Sequence, residues 1–519
     1  MPILDGCNQV PFAPTIKAEP TANATTTPTG LNFELNVNDE GLTNKDGLAQ
    51  SQIKKTVVTL PEGMTANPSL AAGLGACGEA EYKSETLNSA PGTGCPDESK
   101  IGELEIESPL VTQKIHGSLF IARQEENPFH SLLALYIVAK NPELGVLVRA
   151  AGKVEPDPKT GQLVTTFDNL PQLPVSHFRL HFREGQRAPL ISPPRCGEYA
   201  VKADLYPWSE PNTPIHDQST FKLTTGIGGG PCPPGGELPF HPGFEAGSVN
   251  NAAGAYSPFN LRLTRQDGEQ DMTKFSTTLP PGVVGKIAGV SKCPQANVEA
   301  AKRTTGRAQL ASPSCPASSL IGRTLTGAGV GSVLVYVGGK LYLGGPYHGD
   351  PLSVVAIVPA VAGPFDVGTV VVQEALTLNP VTAEVEVDGA ASDPIPHILA
   401  GIPLDVRDIR VYTDKPNFTL NPTSCDTSST RATLFGSGID VFNPADDLPI
   451  GLSSRFQAAG CASLGFRPNL QITLKGGTKR GGHPALTATV VPRPGDANFA
   501  AAVVTLPHSA FLYQAHIRT

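Results

Sequence analysis

A cysteine pattern that occurs twice along the chain limits its possible folds more than any other feature of the sequence. In both copies the third and fourth cysteines lie 36 residues apart, from position 196 to 232 and from position 425 to 461. Cysteines at matched positions in two copies predict the same covalent framework in two similar units. The first copy comprises Cys77, Cys95, Cys196 and Cys232, and the second comprises Cys293, Cys315, Cys425 and Cys461.

Short motifs around these cysteines recur as well. Residues 60–63 (Leu-Pro-Glu-Gly) correspond to residues 279–282 (Leu-Pro-Pro-Gly). Residues 95–102 and 315–322 both follow the pattern Cys-Pro-x-x-Ser-x-Ile-Gly. Because spacing and surroundings both repeat, the two copies are expected to share one fold.

Both ends of the chain fit the same period. Cys7, Cys232 and Cys461 are each followed by Phe-x-Pro, and their spacings (232 − 7 = 225 and 461 − 232 = 229) average 227 residues. Residues 503–507 (Val-Val-Thr-Leu-Pro) repeat residues 57–61. We therefore expect a fragment of a longer repetitive protein that ends in a truncated third copy.

Pairing within each copy is the simplest chemistry for these cysteines, although spacing alone leaves the connectivity open. Structural zinc sites usually have cysteines separated by two to four residues, and the sequence has no such pair. A catalytic cysteine would not recur at four regular positions, and reduced buried cysteines are the remaining alternative. Persistent disulfides indicate an oxidising, extracellular setting. The expected bridges are Cys77–Cys95, Cys196–Cys232, Cys293–Cys315 and Cys425–Cys461, which leave Cys7 unpaired.

The composition favours a β-rich fold. Gly and Pro account for 54 and 50 of the 519 residues, and charged residues for only 17%. Strand-like segments follow one another at intervals of roughly 8–15 residues without long intervening helices, which is typical of antiparallel sandwiches. Residues 66–85 and 295–303, near the first disulfide of each copy, lack strand alternation and predict a short helix or turn. The predicted fold class is all-β, with tandem antiparallel Ig-like β-sandwich domains.

A unit of 227 residues is longer than one sandwich of about 100 residues, so we expect two sandwiches per unit. A smaller domain would carry the Leu-Pro-x-Gly motif and the first disulfide, and a larger domain would follow it. The predicted domains are residues 1–99 (small) and 100–228 (large), residues 229–319 and 320–440 for the second copy, and residues 441–519 for a truncated third copy.

Charge and hydropathy exclude several classes of partner. The net charge is −8 and the basic residues are scattered, so neither nucleic-acid binding nor attraction to an anionic membrane is expected. No run of 18 apolar residues occurs, so no membrane insertion is expected within this chain. No phosphate-binding loop, nucleophile elbow or identifiable pair of glycosidase carboxylates is present, so we expect no cofactor and no catalytic residues.

Two groups of side chains suggest metal binding, and each has a simpler explanation. His177 and His181 form His-x-x-x-His on an alternating strand, but four strand residues span about 13 Å, too far for one zinc ion. A solvated strand face explains this pair better. Carboxylates in two turns are either calcium ligands or ordinary turn residues, and we expect no resident metal. They are Asp39, Glu40 and Asp46 in the first turn, and Asp267, Glu269 and Asp271 in the second.

These motifs resemble those of an uncharacterised family of large, repetitive, predicted secreted proteins of high-GC Gram-positive bacteria. The shared pattern is Leu-Pro-x-Gly, then the Cys-Pro-x-x-Ser-x-Ile-Gly motif, then a cysteine after a Pro/Ser-rich turn, here Cys196 and Cys425. The resemblance covers nearly the whole chain and implies a cell-surface location and a modular build. Residues 506–509 (Leu-Pro-His-Ser) depart from the first motif, so the third copy is expected to be divergent.

The two copies share cysteines, prolines, glycines and apolar strand positions, but no constellation of acidic, basic or histidine side chains. The sequence therefore predicts a non-enzymatic extracellular repeat protein, a structural stalk or adhesin-like fragment with a surface ligand or cell-wall component as its partner. The alternative is an array of glycan-binding accessory modules of a secreted enzyme. Such modules usually present aromatic rings to sugars, and Trp208 is the only tryptophan. A catalytic site in one copy is a third hypothesis.

Overall fold

The computed structural model describes residues 6–38, 40–89, 93–438, 448–507 and 510 of the chain. Nearly all regular structure is antiparallel β-strand, and the helices are short. The predicted all-β class is therefore confirmed. Within the described part of the chain, none of the helices has the length and apolarity needed to cross a membrane.

The first copy is named repeat 1. Its 3-10 helices include Pro68–Ala71 and Asp97–Ser99. Its strands and α-helices are, in chain order, β1 (Thr15–Pro20), β2 (Pro28–Thr29), β3 (Leu31–Asn36), α1 (Glu40–Thr43), β4 (Ile53–Thr59), β5 (Thr65–Ala66), α2 (Glu79–Ser84), β6 (Lys100–Glu107), β7 (Ile115–Ile121), β8 (Leu133–Asn141), β9 (Val146–Pro156), β10 (Leu163–Phe167), β11 (His177–Phe182), β12 (Leu190–Ile191), β13 (Gly197–Pro207) and β14 (Ile215–Leu223).

The second copy is named repeat 2, and the hairpin β30–β31 follows it. The elements are β15 (Gly243–Ser248), β16 (Phe259–Thr264), β17 (Met272–Thr278), β18 (Val284–Gly285), α3 (Gln295–Ala301), α4 (Gly306–Ala311), β19 (Leu320–Ala328), β20 (Val335–Gly344), β21 (Leu352–Ala362), β22 (Phe365–Leu378), β23 (Val385–Asp388), β24 (Ile398–Leu399), β25 (Ile402–Pro403), β26 (Val406–Thr413), β27 (Thr419–Leu420), β28 (Ser428–Gly436), β29 (Leu448–Phe456), β30 (Asn469–Lys475) and β31 (Ala485–Val491).

The long strands of each repeat form one continuous antiparallel sheet. Among the described residues, the strand order in repeat 1 is β1-β3-β11-β6-β7-β8-β9-β10-β4-β13-β14. In repeat 2 it is β15-β16-β26-β19-β20-β21-β22-β23-β17-β28-β29. The two orders correspond strand by strand, so the repeat in the cysteine pattern is also a repeat of topology. These two sheets are named barrel 1 and barrel 2.

Each sheet curls until its first and last strands lie side by side, so that its two walls face each other as in a sandwich. In barrel 1 the Ala18 amide on β1 donates to Oγ of Ser219 on β14 at 2.9 Å. In barrel 2 the Ala246 amide on β15 donates to Oγ of Ser454 on β29 at 3.1 Å. Side-chain oxygens thus satisfy edge donors that would otherwise be free to pair with another chain.

The predicted division of each repeat into a small and a large domain does not match this topology. Strands β3 and β4 precede the predicted boundary at 99/100, yet β3 pairs with β11, and β4 pairs with β10 and β13. In repeat 2, β17 pairs with β28, and β28 pairs with β29 across residue 440/441. The boundaries at 99/100, 319/320 and 440/441 therefore run through single sheets, because strands distant in sequence complete one hydrogen-bond ladder. The boundary at 228/229 separates the two barrels.

The central strands are buried on both faces. On β8, Leu135 and Ile137 face the core of barrel 1, whereas Tyr136 and Val138 pack on the outside beneath α2. Tyr82 of α2 stacks on Tyr136 with the ring centroids 4.0 Å apart. A strand buried on both faces is apolar without alternation, which explains the run Leu-Ala-Leu-Tyr-Ile-Val-Ala at 133–139. The helix predicted near the first disulfide is α2 in repeat 1, and α3 with α4 in repeat 2.

The hairpin β30–β31 occupies the place of a third copy. It pairs in antiparallel register, as β15 and β16 do at the start of barrel 2. Because β29 belongs to barrel 2, only the residues after it stand apart from barrel 2 within the copy predicted for 441–519. Its apolar side chains are exposed to solvent, among them Leu470, Ile472, Leu474, Leu486 and Val490.

Candidate functional site

All nine cysteines lie in the described part of the chain, and eight of them are paired. The four expected disulfides are formed, with separations of 18 and 36 residues in repeat 1 and of 22 and 36 residues in repeat 2. Cys7 is a free, exposed thiol. The first bridge of each repeat lies in the apolar cluster between the helical segment and the outer sheet face. The second disulfide of each repeat links the residues before β13 in repeat 1, or before β28 in repeat 2, to the segment that follows the last strand of that barrel.

The His-x-x-x-His pair lies on the outer face of β11. His181 Nδ1 lies 2.6 Å from Oδ1 of Asn32, and His177 Nε2 lies 3.9 Å from a carboxylate oxygen of Glu34. Both neighbours are on the adjacent strand β3. The two histidines therefore contact different partners along the strand and do not converge on one point. The His181 side chain is 51% exposed and that of His177 only 18%, so only His181 fits a solvated strand face.

The carboxylates considered as calcium ligands have partners within the protein or lie in solvent. Asp39 is outside the described residues, Glu40 begins α1, and Asp46 forms an exposed ion pair with Lys45 at 3.9 Å. Within the described ranges, no group of three or more potential ligands converges on a metal position. In the second turn Asp267, Glu269 and Asp271 contact arginine, histidine and backbone groups.

Repeat 2 docks on repeat 1 through turns at one end of barrel 2. Oγ of Ser69 lies 3.1 Å from the carbonyl oxygen of Val330 and 2.7 Å from that of Val333, both in the β19–β20 turn. At the β21–β22 turn, the side-chain amide of Gln124 makes two hydrogen bonds of 2.8 Å with the backbone of Asp366. Its Nε2 donates to the Asp366 carbonyl oxygen, and its Oε1 accepts from the Asp366 amide. The contact of these two turns with repeat 1 is named the junction.

Glycines allow the two backbones to approach closely at the junction. Gly363 has a φ of +54°, and a Cβ there would lie 2.3 Å from the carbonyl oxygen of Ala71. Gly331 has a φ of +79°, and a Cβ there would lie 2.4 Å from Oε1 of Gln186. The same Gln186 oxygen accepts from the Ser332 amide at 2.9 Å. A side chain at Gly363 would push against the backbone of repeat 1 and separate the two repeats, whereas one at Gly331 would displace the Gln186 side chain and its bond to Ser332.

A buried ionic cluster supports the β19–β20 turn from within barrel 2. Arg407 donates to the carbonyl oxygen of Gly331 at 2.7 Å, and Asp267 accepts from the amide of the same glycine at 2.6 Å. Behind them, Arg265 lies 4.0 Å from Asp405. Burial, reinforced by neighbouring carboxylates, raises the pKa of Asp405 to about 7. The cluster that supports the docking turn therefore includes a carboxyl group, that of Asp405, whose pKa is higher in the folded chain than in the unfolded chain.

Replacing Asp405 by Asn should stabilise the protein at pH 8 and have little effect near pH 4. Below pH 3.8, the pKa of Asp405 in the unfolded chain, this carboxyl group is protonated in both states. Between pH 3.8 and about 7 only the folded state keeps the proton. The free energy of unfolding therefore falls as the pH rises through this range. Asparagine stays neutral and tolerates the left-handed backbone at this position. Thermal unfolding at pH 4, 6 and 8 measures the trend, with exposed Asp426→Asn as the control. A midpoint difference that is constant across these pH values would contradict this assignment.

Barrel 1 encloses an apolar cavity of about 370 Å³. Its walls are inward-facing side chains of eight neighbouring strands, β3, β11, β6, β7, β8, β9, β10 and β4. Phe33, Ile137 and Phe178 are examples. Turns of barrel 2 close the end of the cavity that faces repeat 2, so the junction and the cavity share a wall. The closing residues include Ala328, Val335, Ala360, Phe365 and Leu404.

In the part of the chain that the structure describes, the only tryptophan and two exposed tyrosines each lie against a cation of the protein. The Trp208 indole N–H donates to the carbonyl oxygen of Leu170 at 3.1 Å, and Nζ of Lys54 lies 5.6 Å from the ring centroid. Exposed Tyr256 has a lysine ammonium 5.8 Å from its ring centroid, and exposed Tyr336 has an arginine guanidinium at 5.4 Å. Each of these rings already contacts a cation of the protein.

Glu374 on β22 is a buried acid away from the junction. Burial raises its pKa to about 8, and the nearby charge of Asp393 adds to the shift. Asp393 accepts from the hydroxyl of Tyr347 and, at 3.0 Å, from the Gln373 amide. Hydrogen-bonded networks with a structural role perturb pKa values as active sites do. The network around Glu374 has such a role, because it holds the turn at 388–393 against β22.

Comparison between the two copies does not single out Ser69, Gln124 or Asp366, because the junction is made by different ends of two repeats. A comparison of exposure at matched positions does indicate the junction. Leu110 corresponds to Val330 at the offset of 220 that relates the glycines at 102 and 322. Leu110 is 61% exposed and Val330 only 1%, so the same turn is free in repeat 1 and docked in repeat 2.

No protein-family model matches the chain, and no curated protein sequence matches it. Among solved structures, the chain is similar to the C-terminal domain of the Streptococcus pyogenes antigen I/II-family protein AspA, at 8% sequence identity and a TM-score of 0.17. The similarity covers 86% of this chain and 99% of that domain. A TM-score this low assigns neither fold nor function to this chain.

Proposed function

We propose that the protein is a non-enzymatic extracellular repeat protein, a structural stalk or adhesin-like fragment whose barrels dock end to end in a stiff rod. The junction is the observation that carries this proposal. Domains of one chain usually move relative to each other unless their interface is large and apolar. Here apolar side chains at the ends of two turns of repeat 2 close the cavity of repeat 1, and hydrogen bonds from Ser69 and Gln124 fix the position of these turns. Val330, whose carbonyl oxygen accepts from Ser69, is buried.

The docking surfaces recur along the chain, which suits a rod of many repeats. The end of barrel 1 that carries the β6–β7 and β8–β9 turns is named the front end. Leu110 at this front end matches the docked Val330 in position. At the opposite end of barrel 2, Ile287 and Val381 are exposed. Repeat 1 thus presents a free copy of the docking turn, and repeat 2 presents apolar side chains at the end where a following copy would dock.

The disulfides support the extracellular location. Four bridges in one chain persist in an oxidising compartment and are rare in the cytosol. They also compensate for a composition with only 6% aromatic residues. The partner we propose for such a rod is a surface ligand or cell-wall component bound through its exposed turns.

Small-angle X-ray scattering of the full chain tests the stiff rod. Because the repeats are fastened at the junction, one rigid arrangement of the two barrels should fit the data. The variant Ser69→Ala with Gln124→Ala should require a flexible ensemble instead. The control variant Thr112→Ala with Gln113→Ala, in the free turn of repeat 1, should scatter like the native chain. Scattering of the native chain that needs widely separated barrels would contradict the proposal.

A further inference from the structure

We propose that the cavity of barrel 1 is a binding site for a single fatty acyl chain, whose polar end lies at the front end of the barrel. The size and lining of the cavity indicate this class of ligand. Among the described residues that line it, no side chain is charged, and the few polar ones carry amides or hydroxyls. An apolar cavity of roughly 150 Å³ stays dry and accepts benzene. By that measure, about 370 Å³ holds roughly 15 carbon atoms.

The distribution of polar side chains along the cavity orients the ligand. The end closed by repeat 2 is lined mainly by apolar side chains, and the one amide beside it, that of Asn67, already bonds the Ser69 amide and the Ala188 carbonyl oxygen. At the front end, by contrast, Asn38, Gln50 and Gln52 line the cavity. Their amides can donate to the carboxylate of a free fatty acid or to the ester carbonyl of a lipid. Both ligands share the acyl chain, which is the part that the cavity recognises.

The cavity follows from the length of one connection, which differs between the two barrels. Nine residues join β10 to β11 in barrel 1, between Phe167 and His177, whereas 17 residues join β23 to β26 in barrel 2, between Asp388 and Val406. The longer connection places Ile395 in the core of barrel 2 beside Leu263, Met272 and Leu434. In barrel 1 the shorter connection leaves Leu173 and Val175 partly buried at the cavity wall.

Binding of cis-parinaric acid, an unbranched fatty acid that is itself fluorescent and carries no bulky label, tests the site when followed by fluorescence on the full chain. Val148 lines the cavity, so Val148→Trp should weaken binding at least roughly tenfold by filling it. The matched control is Val249→Trp, because Val249 is 67% exposed and lies outside the cavity; its affinity should equal that of the native chain. Ala150→Ile is a smaller filler at the same wall. It should weaken binding in the same direction, and its thermal midpoint and circular dichroism show that the barrel is intact.

Three results would overturn the proposal. The first is no saturable binding to the native chain, and the second is equal affinity in the native chain and both cavity-filling variants. The third is loss of binding in Ile472→Lys with binding retained in Val148→Trp, which would place the probe on the exposed hairpin β30–β31.

Competition then distinguishes the two sources of the acyl chain. Displacement by lauric acid alone would identify a free fatty acid as the ligand, and displacement by lauroyl lysophosphatidylcholine alone would identify the ester-linked chain of a lipid. Displacement by both would show that the chain itself is recognised. Failure of both competitors to displace the probe would mean that the probe is not bound in an acyl-chain site and would overturn the proposal.

Discussion

The Val330→Asp variant should lose the junction, whereas Leu110→Asp should behave like the native protein. Both substitutions put a carboxylate at the same position of the β19–β20 or β6–β7 turn. Val330 is 1% exposed and its carbonyl oxygen accepts from Ser69 of repeat 1, while Leu110 is 61% exposed. A buried charge without a partner destabilises a protein by roughly 3–5 kcal/mol. A change at an exposed position away from special features usually stays within about 0.5 kcal/mol.

Differential scanning calorimetry together with limited proteolysis measures this difference. In the native chain we expect the two barrels to unfold in a coupled transition and the region around 228 to resist cleavage. In Val330→Asp the transition should split, and cleavage between the barrels should become rapid. Equal calorimetric traces for Val330→Asp and Leu110→Asp would show that the turn does not hold the repeats together.

Removal of the first disulfide of repeat 2 should produce the second large effect. The Cys293–Cys315 bridge closes a loop of 22 residues that carries α3 and α4. In the chain-entropy model a loop of this length contributes roughly 3 kcal/mol by restricting the unfolded state. For a domain of this size, that corresponds to a fall in the thermal midpoint of roughly 6–12 °C.

The double variant Cys293→Ser with Cys315→Ser tests this value by thermal unfolding without reductant. Cys7→Ser is the control, because Cys7 is unpaired and exposed, and its midpoint should not change. Since Val298 and Ala301 of α3 pack in the same cluster as the bridge, proteolysis within α3 and α4 should also accelerate in the double variant. An unchanged midpoint in the double variant would mean that the bridge does not constrain this segment.

The repeats, the strands and the disulfide pairs could be predicted from the sequence because each leaves a local or periodic pattern. Cys77 and Cys95 recur as Cys293 and Cys315 with the same neighbours. Strand β8 is an apolar run because it is buried on both faces. The helical segment near the first disulfide is recognisable because its residues lack strand alternation.

The order of the strands could not be predicted, because it depends on contacts distant in sequence. Strand β11 lies between β3 and β6, and β4 lies between β10 and β13. Nothing local in residues 53–59 indicates that they pair with residues 202–207. For this reason the sequence predicts a separate domain before residue 99, although its strands complete barrel 1.

The junction and the cavity depend on features that a comparison of matched positions does not detect. Ser69 and Val330 belong to different ends of their repeats, so their contact has no counterpart within either copy. The cavity lies in the barrel whose connection is shorter by eight residues (17 − 9 = 8). Both features depend on which distant segments of the chain lie next to each other, and this is known only from the folded structure.

Hydrogen exchange at the docked turns, followed by mass spectrometry, tests most directly whether the repeats are fastened together. The Ser332 amide donates to Gln186 and the Asp366 amide donates to Gln124, both across the junction. Amides held in such contacts exchange only when the contact opens. We predict slow exchange at Ser332 and Asp366 and fast exchange in the free turn at 108–114 of the same molecule. Exchange at Ser332 and Asp366 as fast as in that free turn would contradict the docked rod.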